Sequence, residues 1–219
     1  MTAHFVSLLE DLRRRSLRMA SQVEDLLQEA TEVVFECDAD LALRVINRDE
    51  EIDAAEVEVE AEVIRLLALY QPVGVDLRLL CTILKVNSDL ERVADCAVNI
   101  AERARHAEVQ ALARRTPELK QLCPVVRQIL RDAIQCYSTD DGDAAQTLGG
   151  QDRVIDALHA QLVRSIVANA DRSAESMRAQ LDVLSIAKNL ERIADHATNI
   201  AEDVVFLSTG RIVRHQFRS

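Results

Sequence analysis

The sequence predicts an all-α protein: six long helices forming two tandem, pseudo-symmetric antiparallel three-helix bundles. Three observations carry this expectation. Apolar residues recur at intervals of three and four almost throughout the 219 residues. Helix breakers are scarce, with five Gly and three Pro, and aromatics make up only 3%. What is left, Ala, Leu, Val, Glu and Arg, favours long helices packed by aliphatic side chains. Finally, one segment occurs twice. LERVADCAVNIAE (Leu90 to Glu102) and LERIADHATNIAE (Leu190 to Glu202) are identical at ten of thirteen positions.

The first helix is expected from Phe5 to about Glu36, its stripe being Leu8, Leu9, Leu12, Met19, Val23, Leu26, Leu27, Val33 and Val34. Asp38 can cap a second, in which Val45, Ile52, Val59 and Leu66 stand seven apart. YQPVGVD ends it, since Pro72 cannot continue a helix and Gly74 permits a tight turn. A third helix runs from about Val75 to Ala107 on the seam Ile83, Val86, Leu90, Val93, Ala97 and Ile100.

The stretch HAEVQALARRTPELKQLCP reads as the joint between halves, which sets units of 1–112 and 113–219. Thr116 and Pro117 suit the N-cap and first position of a fourth helix, and Pro124 implies a kink or a later start. That helix reaches about Tyr137, and STDDGD turns the chain. A fifth helix covers about Ala144 to Ala168 and a sixth about Ala174 to Leu207, with Gly210 as its stop. Three helices joined by short connections bury their seams as an antiparallel bundle.

The formal charge of −11 repels a phosphate backbone, and no basic stripe with interleaved aromatics appears, which argues against nucleic acid. The five cysteines include no CxxC pair and read as buried small hydrophobes of a reducing compartment. The N-terminus has acids and arginines where a signal peptide needs an apolar block, and no run approaches a membrane span. The expected location is the cytoplasm, peripheral to the inner membrane through partners and without insertion.

On a wheel of 100° per residue, Glu91, Asp95, Asn99 and Glu102 share the side opposite the third helix's seam. The sixth helix repeats them as Glu191, Asp195, Asn199 and Glu202. The second helix carries Asp49 and Asp53, and the fifth Asp152 and Asp156. Neighbouring helices can thus present Asp49/Asp53 beside Glu91/Asp95, and Asp152/Asp156 beside Glu191/Asp195. Four carboxylates on adjacent helices suit hard cations, Mg²⁺ or Mn²⁺, or iron. They equally suit a partner's basic groups. A solvated helix face explains one such pair; the matched recurrence argues for a shared binding role. His196, next to Asp195, is open as ligand, stripe neighbour or surface residue, and Cys96 holds its place in the first half. Asp156 and His159 form one carboxylate-x-x-His, whereas di-iron bundles pair two. No catalytic constellation stands out.

The two repeats, preceded by QPVGVDLRLL, resemble the PhoU family of phosphate-uptake regulators. The residues that carry the resemblance are Glu91/Asp95, Glu191/Asp195, and Pro72, Val73, Asp76, Leu77 and Arg78. It spans about Phe5 to His215 and departs at Ala94 and Ala194, where the family often has Gly. The resemblance implies an adaptor rather than an enzyme. Such a protein links a phosphate ABC transporter to a sensor histidine kinase, restrains uptake when phosphate is plentiful, and is often a dimer. It also implies that the acidic motifs can hold Mg²⁺, Mn²⁺, Zn²⁺ or iron. Two competing readings are a carboxylate-bridged di-metal bundle enzyme and a metal-free helical scaffold. The first needs two carboxylate-x-x-His motifs inside a bundle; the second leaves the matched polar stripe unexplained.

Overall fold

The computed structural model describes residues 3–36, 38–150, 152–169 and 173–213, except the side chain of Asp152. Cys37 and His215 lie outside the described residues. The described residues fold into helices joined by short turns: α1 (Ala3–Val33), α2 (Ala39–Asn47), α3 (Asp49–Tyr70), α4 (Val75–Ala104), α5 (Ala107–Ala113), α6 (Pro117–Thr139), α7 (Gly142–Leu148), α8 (Asp152–Ala168) and α9 (Ala174–Thr209). No described helix is long and apolar enough to cross a membrane.

Among the described residues the six expected helices appear as eight segments, and the expected joint adds a ninth. The second is divided at Arg48, which closes α2 and opens α3. Asp38 caps α2 by accepting from the Leu41 backbone N–H at 2.9 Å. Asp49, Glu50 and Glu51 fill the first turn of α3, where acids meet the positive end of a helix dipole. Arg48 itself reaches back to α1, to Glu29 at 3.1 Å and the Gln22 carbonyl at 3.3 Å. The fifth expected helix is likewise divided into α7 and α8.

The expected joint contains α5. Gln110 donates to the Val33 carbonyl (3.3 Å) and Arg114 to the Phe35 carbonyl (3.1 Å). The joint thereby satisfies carbonyls that the end of α1 leaves without helical partners. The fourth helix starts at Pro117, and Pro124 lies inside it, so no later start occurs.

Two glycines are required. Gly74 opens α4 at φ 63°, ψ −124°. A Cβ on Gly142 would stand 2.0 Å from Ser208 Oγ, so α7 approaches α9 at a bare backbone.

α1, α3 and α4 pack as one bundle with α2 alongside; α6, α8 and α9 form the other with α7. The broadest contact in the molecule joins α4 to α9, across the halves. Leu80, Ile83, Val86, Leu90, Val93 and Ile100 of α4 are fully buried, as are Val183, Ile186, Leu190, Ile193 and Ile200 of α9. A second cross-contact pairs Ser16 of α1 with Tyr137 of α6 through their hydroxyls at 2.8 Å. Cys96, Cys123 and Cys136 are buried, and burial pushes the thiols of Cys96 and Cys123 up to about 11 and about 12. They are protonated packing groups.

Candidate functional site

The first-half carboxylates share one electrostatic field. Burial, then the charges of Asp53, Asp95, Glu102 and Glu50, raise the carboxyl of Asp49 above its ordinary value. Burial and Asp95 raise Glu91, with Asp53 and Glu56 adding to it against the pull of Arg92. Burial and Glu60 raise Glu56. The rows expected on α3 and α4 therefore do lie side by side. Asn87 pins the two helices together, donating to the Glu56 carbonyl at 2.9 Å.

Arg92 bridges this field at its edge, 3.2 Å from both Glu91 and Asp95. Asn99 turns its amide onto its own helix, donating to the Asp95 carbonyl at 2.7 Å.

The second half departs from its copy. Glu191 is half-buried and ion-paired with Lys188, whose counterpart in the first half is Ser88. Asp195 and Asn199 are half-buried and Asp156 is exposed; the Asp152 side chain is outside the described residues. Glu202 corrects the expectation of an outward stripe: it is 7% exposed, while its counterpart Glu102 is exposed. The reason is helix length. α9 continues to Thr209, whereas α4 stops at Ala104, the equivalent of Val204. Glu202 therefore lies within a packed helix and Glu102 in a last turn.

His196 is not a surface residue. Its Nδ1–H donates to Asp89 Oδ1 at 2.8 Å, since an ionised carboxylate only accepts. Asn199 donates to the same oxygen at 3.2 Å. These contacts belong to a polar ladder along α4 and α9. Arg78 donates to the Leu207 carbonyl (3.3 Å), Lys85 pairs with the buried Asp203, and Arg103 pairs with Asp182 (3.0 Å). Residue numbers rise on α4 as they fall on α9, so the two helices are antiparallel. Asp89, Lys85 and Asp203 escaped the sequence reading because all three lie outside the matched positions. Their signal was the difference between the copies: Asp89 stands where the second half has Asn189, Lys85 where it has Ser185, and Asp203 where the first half has Arg103.

As donors to a metal, the acids supply hard oxygens of the right kind. Among the described residues, however, no three His, Cys, Asp or Glu side chains are gathered to hold an ion. Arg92 and Lys188 occupy Glu91, Asp95 and Glu191 instead.

A duplicated three-helix unit, joined through its repeat helices and carrying an acidic face, defines a class of helical-bundle proteins built from two copies of one module. The PhoU domain matches residues 16–104 and again 119–204. The phosphate-specific transport system accessory protein PhoU homolog of Pseudomonas putida is 35% identical over 216 residues, covering 98% of this chain and 84% of that protein. The homolog of the same name from Aquifex aeolicus is 34% identical over 208 residues, covering 95% and 94%. The crystal structure of PhoU from Pseudomonas aeruginosa superposes with a TM-score of 0.86 at 30% identity, covering 94% of this chain and all of that one. The chain belongs to the PhoU family.

Proposed function

We propose that this chain is a non-enzymatic, cytoplasmic accessory protein of phosphate homeostasis. As a homodimer it contacts the ATPase of a phosphate ABC transporter and a phosphate-sensing histidine kinase at the inner membrane. When phosphate is plentiful it lowers uptake and holds phosphate-regulon signalling off. One observation carries this reading: similarity to proteins named as phosphate-specific transport accessory proteins extends over 98% of the chain rather than over one module. The acidic field of α3 and α4 supports it, since such a face attracts basic groups on a partner. An adaptor transmits a signal only if it binds two states of its partner with different affinity.

The test is complementation of a strain lacking the gene, read by a phosphate-repressible reporter together with recovery of the kinase and the ATPase on the tagged chain. The wild-type chain restores repression in rich phosphate and retrieves both partners. Glu91→Lys with Asp95→Lys lowers that recovery about tenfold while circular dichroism stays helical. A wild-type chain that restores nothing and retrieves neither partner defeats the proposal.

A second reading, divalent or iron-type ions held by Asp49, Asp53, Glu91 and Asp95, is favoured by the raised Asp49 and Glu91, whose repulsion a cation relieves. Elemental analysis of the purified chain and calorimetric titration with Mn²⁺ decide it; heat unchanged by Asp49→Asn with Glu91→Gln counts against it.

A further inference from the structure

Helix α3 is apolar on two opposite sides. Ile52, Val59, Val63 and Leu66 are buried. On the far side Ala54, Val57, Ala61, Ile64 and Ala68 follow at alternating intervals of three and four, and all five are exposed. Val57 is 61% and Ile64 54% exposed. That alternation is the repeat of a coiled-coil seam, and a helix apolar on both sides is ordinarily covered on both. At about 1.5 Å per residue the stripe is about 20 Å long, two heptads. Exposed apolar surface continues past its C-terminal end at Leu69, Val73 and Val75.

Both edges of the stripe are acidic. Asp53 and Glu60 are exposed along one edge, Glu51 and Glu58 along the other. The first edge lies toward α4 and merges with the Glu56 and Glu91 field. Arg65, the one base in α3, is held by Glu62 at 2.7 and 2.6 Å.

The fold does not demand this face whole, because the other half keeps it only in part: Ala157, Ala160 and Val167 of α8 stand at the places of Ala54, Val57 and Ile64, but a charge interrupts them. Laying the buried Ile155, Leu162 and Ile166 of α8 on Ile52, Val59 and Val63 puts Arg164 at the place of Ala61. Gln161 then stands at the place of Glu58, and Val154 at that of Glu51.

We propose that the outer face of α3 is a docking seam for an amphipathic helix of a partner protein, apolar at its a and d positions and carrying Lys or Arg at e and g. Charge selects this occupant. A second copy of the same face sets acid against acid along most of its length, whereas a cationic edge neutralises both sides. The inference rests on the adaptor reading and gives it a surface.

The probe is a fluorescein-labelled synthetic helix with Leu at a and d and Lys at e and g; a Glu-flanked counterpart serves as control. The protein variant is Val57→Glu with Ile64→Glu. Both sites are exposed, so the variant keeps its helical circular dichroism, and it gains two negative charges. Simple charge attraction therefore survives the change while seam docking does not. The expected result is that the Lys helix binds the wild-type chain at least tenfold more tightly than the variant, and the Glu helix binds neither. Equal binding of the Lys helix to both proteins, or to neither, overturns the proposal. So does light scattering that shows a dimer for wild type and a monomer for the variant, because a second copy then covers the seam. In the complementation strain, full repression by the variant sinks the seam and leaves the adaptor reading standing; failure of the wild-type chain sinks the adaptor reading itself.

Discussion

The two halves share an apolar seam almost residue for residue and differ in the charges that flank it. Leu90 and Leu190, Ile100 and Ile200, Ala97 and Ala197 are all fully buried at equivalent places. Around them, position 103 is Arg where 203 is Asp, and 82 is Thr where 182 is Asp. Those differences are what α4 and α9 use to recognise each other. Two first halves packed in the same register would set Lys85 against Arg103; two second halves would set Asp182 against Asp203. The common seam makes a bundle, and the unlike charges make one half complementary to the other.

The comparison breaks hardest at the seam. Leu90→Ala and Leu190→Ala each remove a fully buried side chain and are expected to cost about 2–5 kcal/mol. Chemical denaturation checks this, and similar losses from both confirm that the aliphatic interior is shared. The ladder comes next. Lys85→Met removes a cationic partner of Asp203, 3% exposed, and is expected to cost about 1–3 kcal/mol, whereas Arg103→Met acts at a pair that is 42% and 17% exposed and should cost under about 1 kcal/mol. A larger loss at Arg103 than at Lys85 would reverse the assignment of the two ends.

The smallest effects differ in sign. Glu91→Gln removes a charge that burial, then Asp95, disfavours against the pull of Arg92, and raises stability by a few tenths of a kcal/mol, about the size of one helical charge pair. Glu191→Gln loses the Lys188 partner and lowers stability by about as much. The first effect depends on pH. The carboxyls of Asp49, Glu56 and Glu91 are raised in the fold, so the folded chain holds their protons more tightly than the unfolded chain does. The penalty that burial and mutual repulsion place on their charges is fully present at neutral pH and fades as pH falls through the raised values. Thermal midpoints of wild type and Glu91→Gln should converge toward about pH 4, where carboxylates protonate. A gap that widens on acidification would mean that Glu91 is favourably placed as an anion.

The fold was legible because it rests on repetition. Three- and four-residue spacing located the long helices, and the duplicated run located the pair that joins the halves. The break at Arg48 was not legible: it has no proline and no interrupted seam, and long-range contacts such as Arg48 with Glu29 decide it. The break between α7 and α8 was legible but passed over, since it falls on the consecutive Gly149 and Gly150. At the site, the neighbourhood of Asp49, Asp53, Glu91 and Asp95 could be read from spacing. The burial of Glu202 could not, since it depends on α9 outrunning its copy. Nor could the bond of His196 to Asp89, because it joins residues 107 positions apart.

The antiparallel ladder also determines how the molecule behaves when cut. A chain severed in the exposed stretch around Arg105 and His106 yields two pieces whose freshly bared helices carry unlike, complementary charges. Each piece is a poor match for its own kind and a good one for the other. Fragments made separately and mixed should find each other and rebuild the whole.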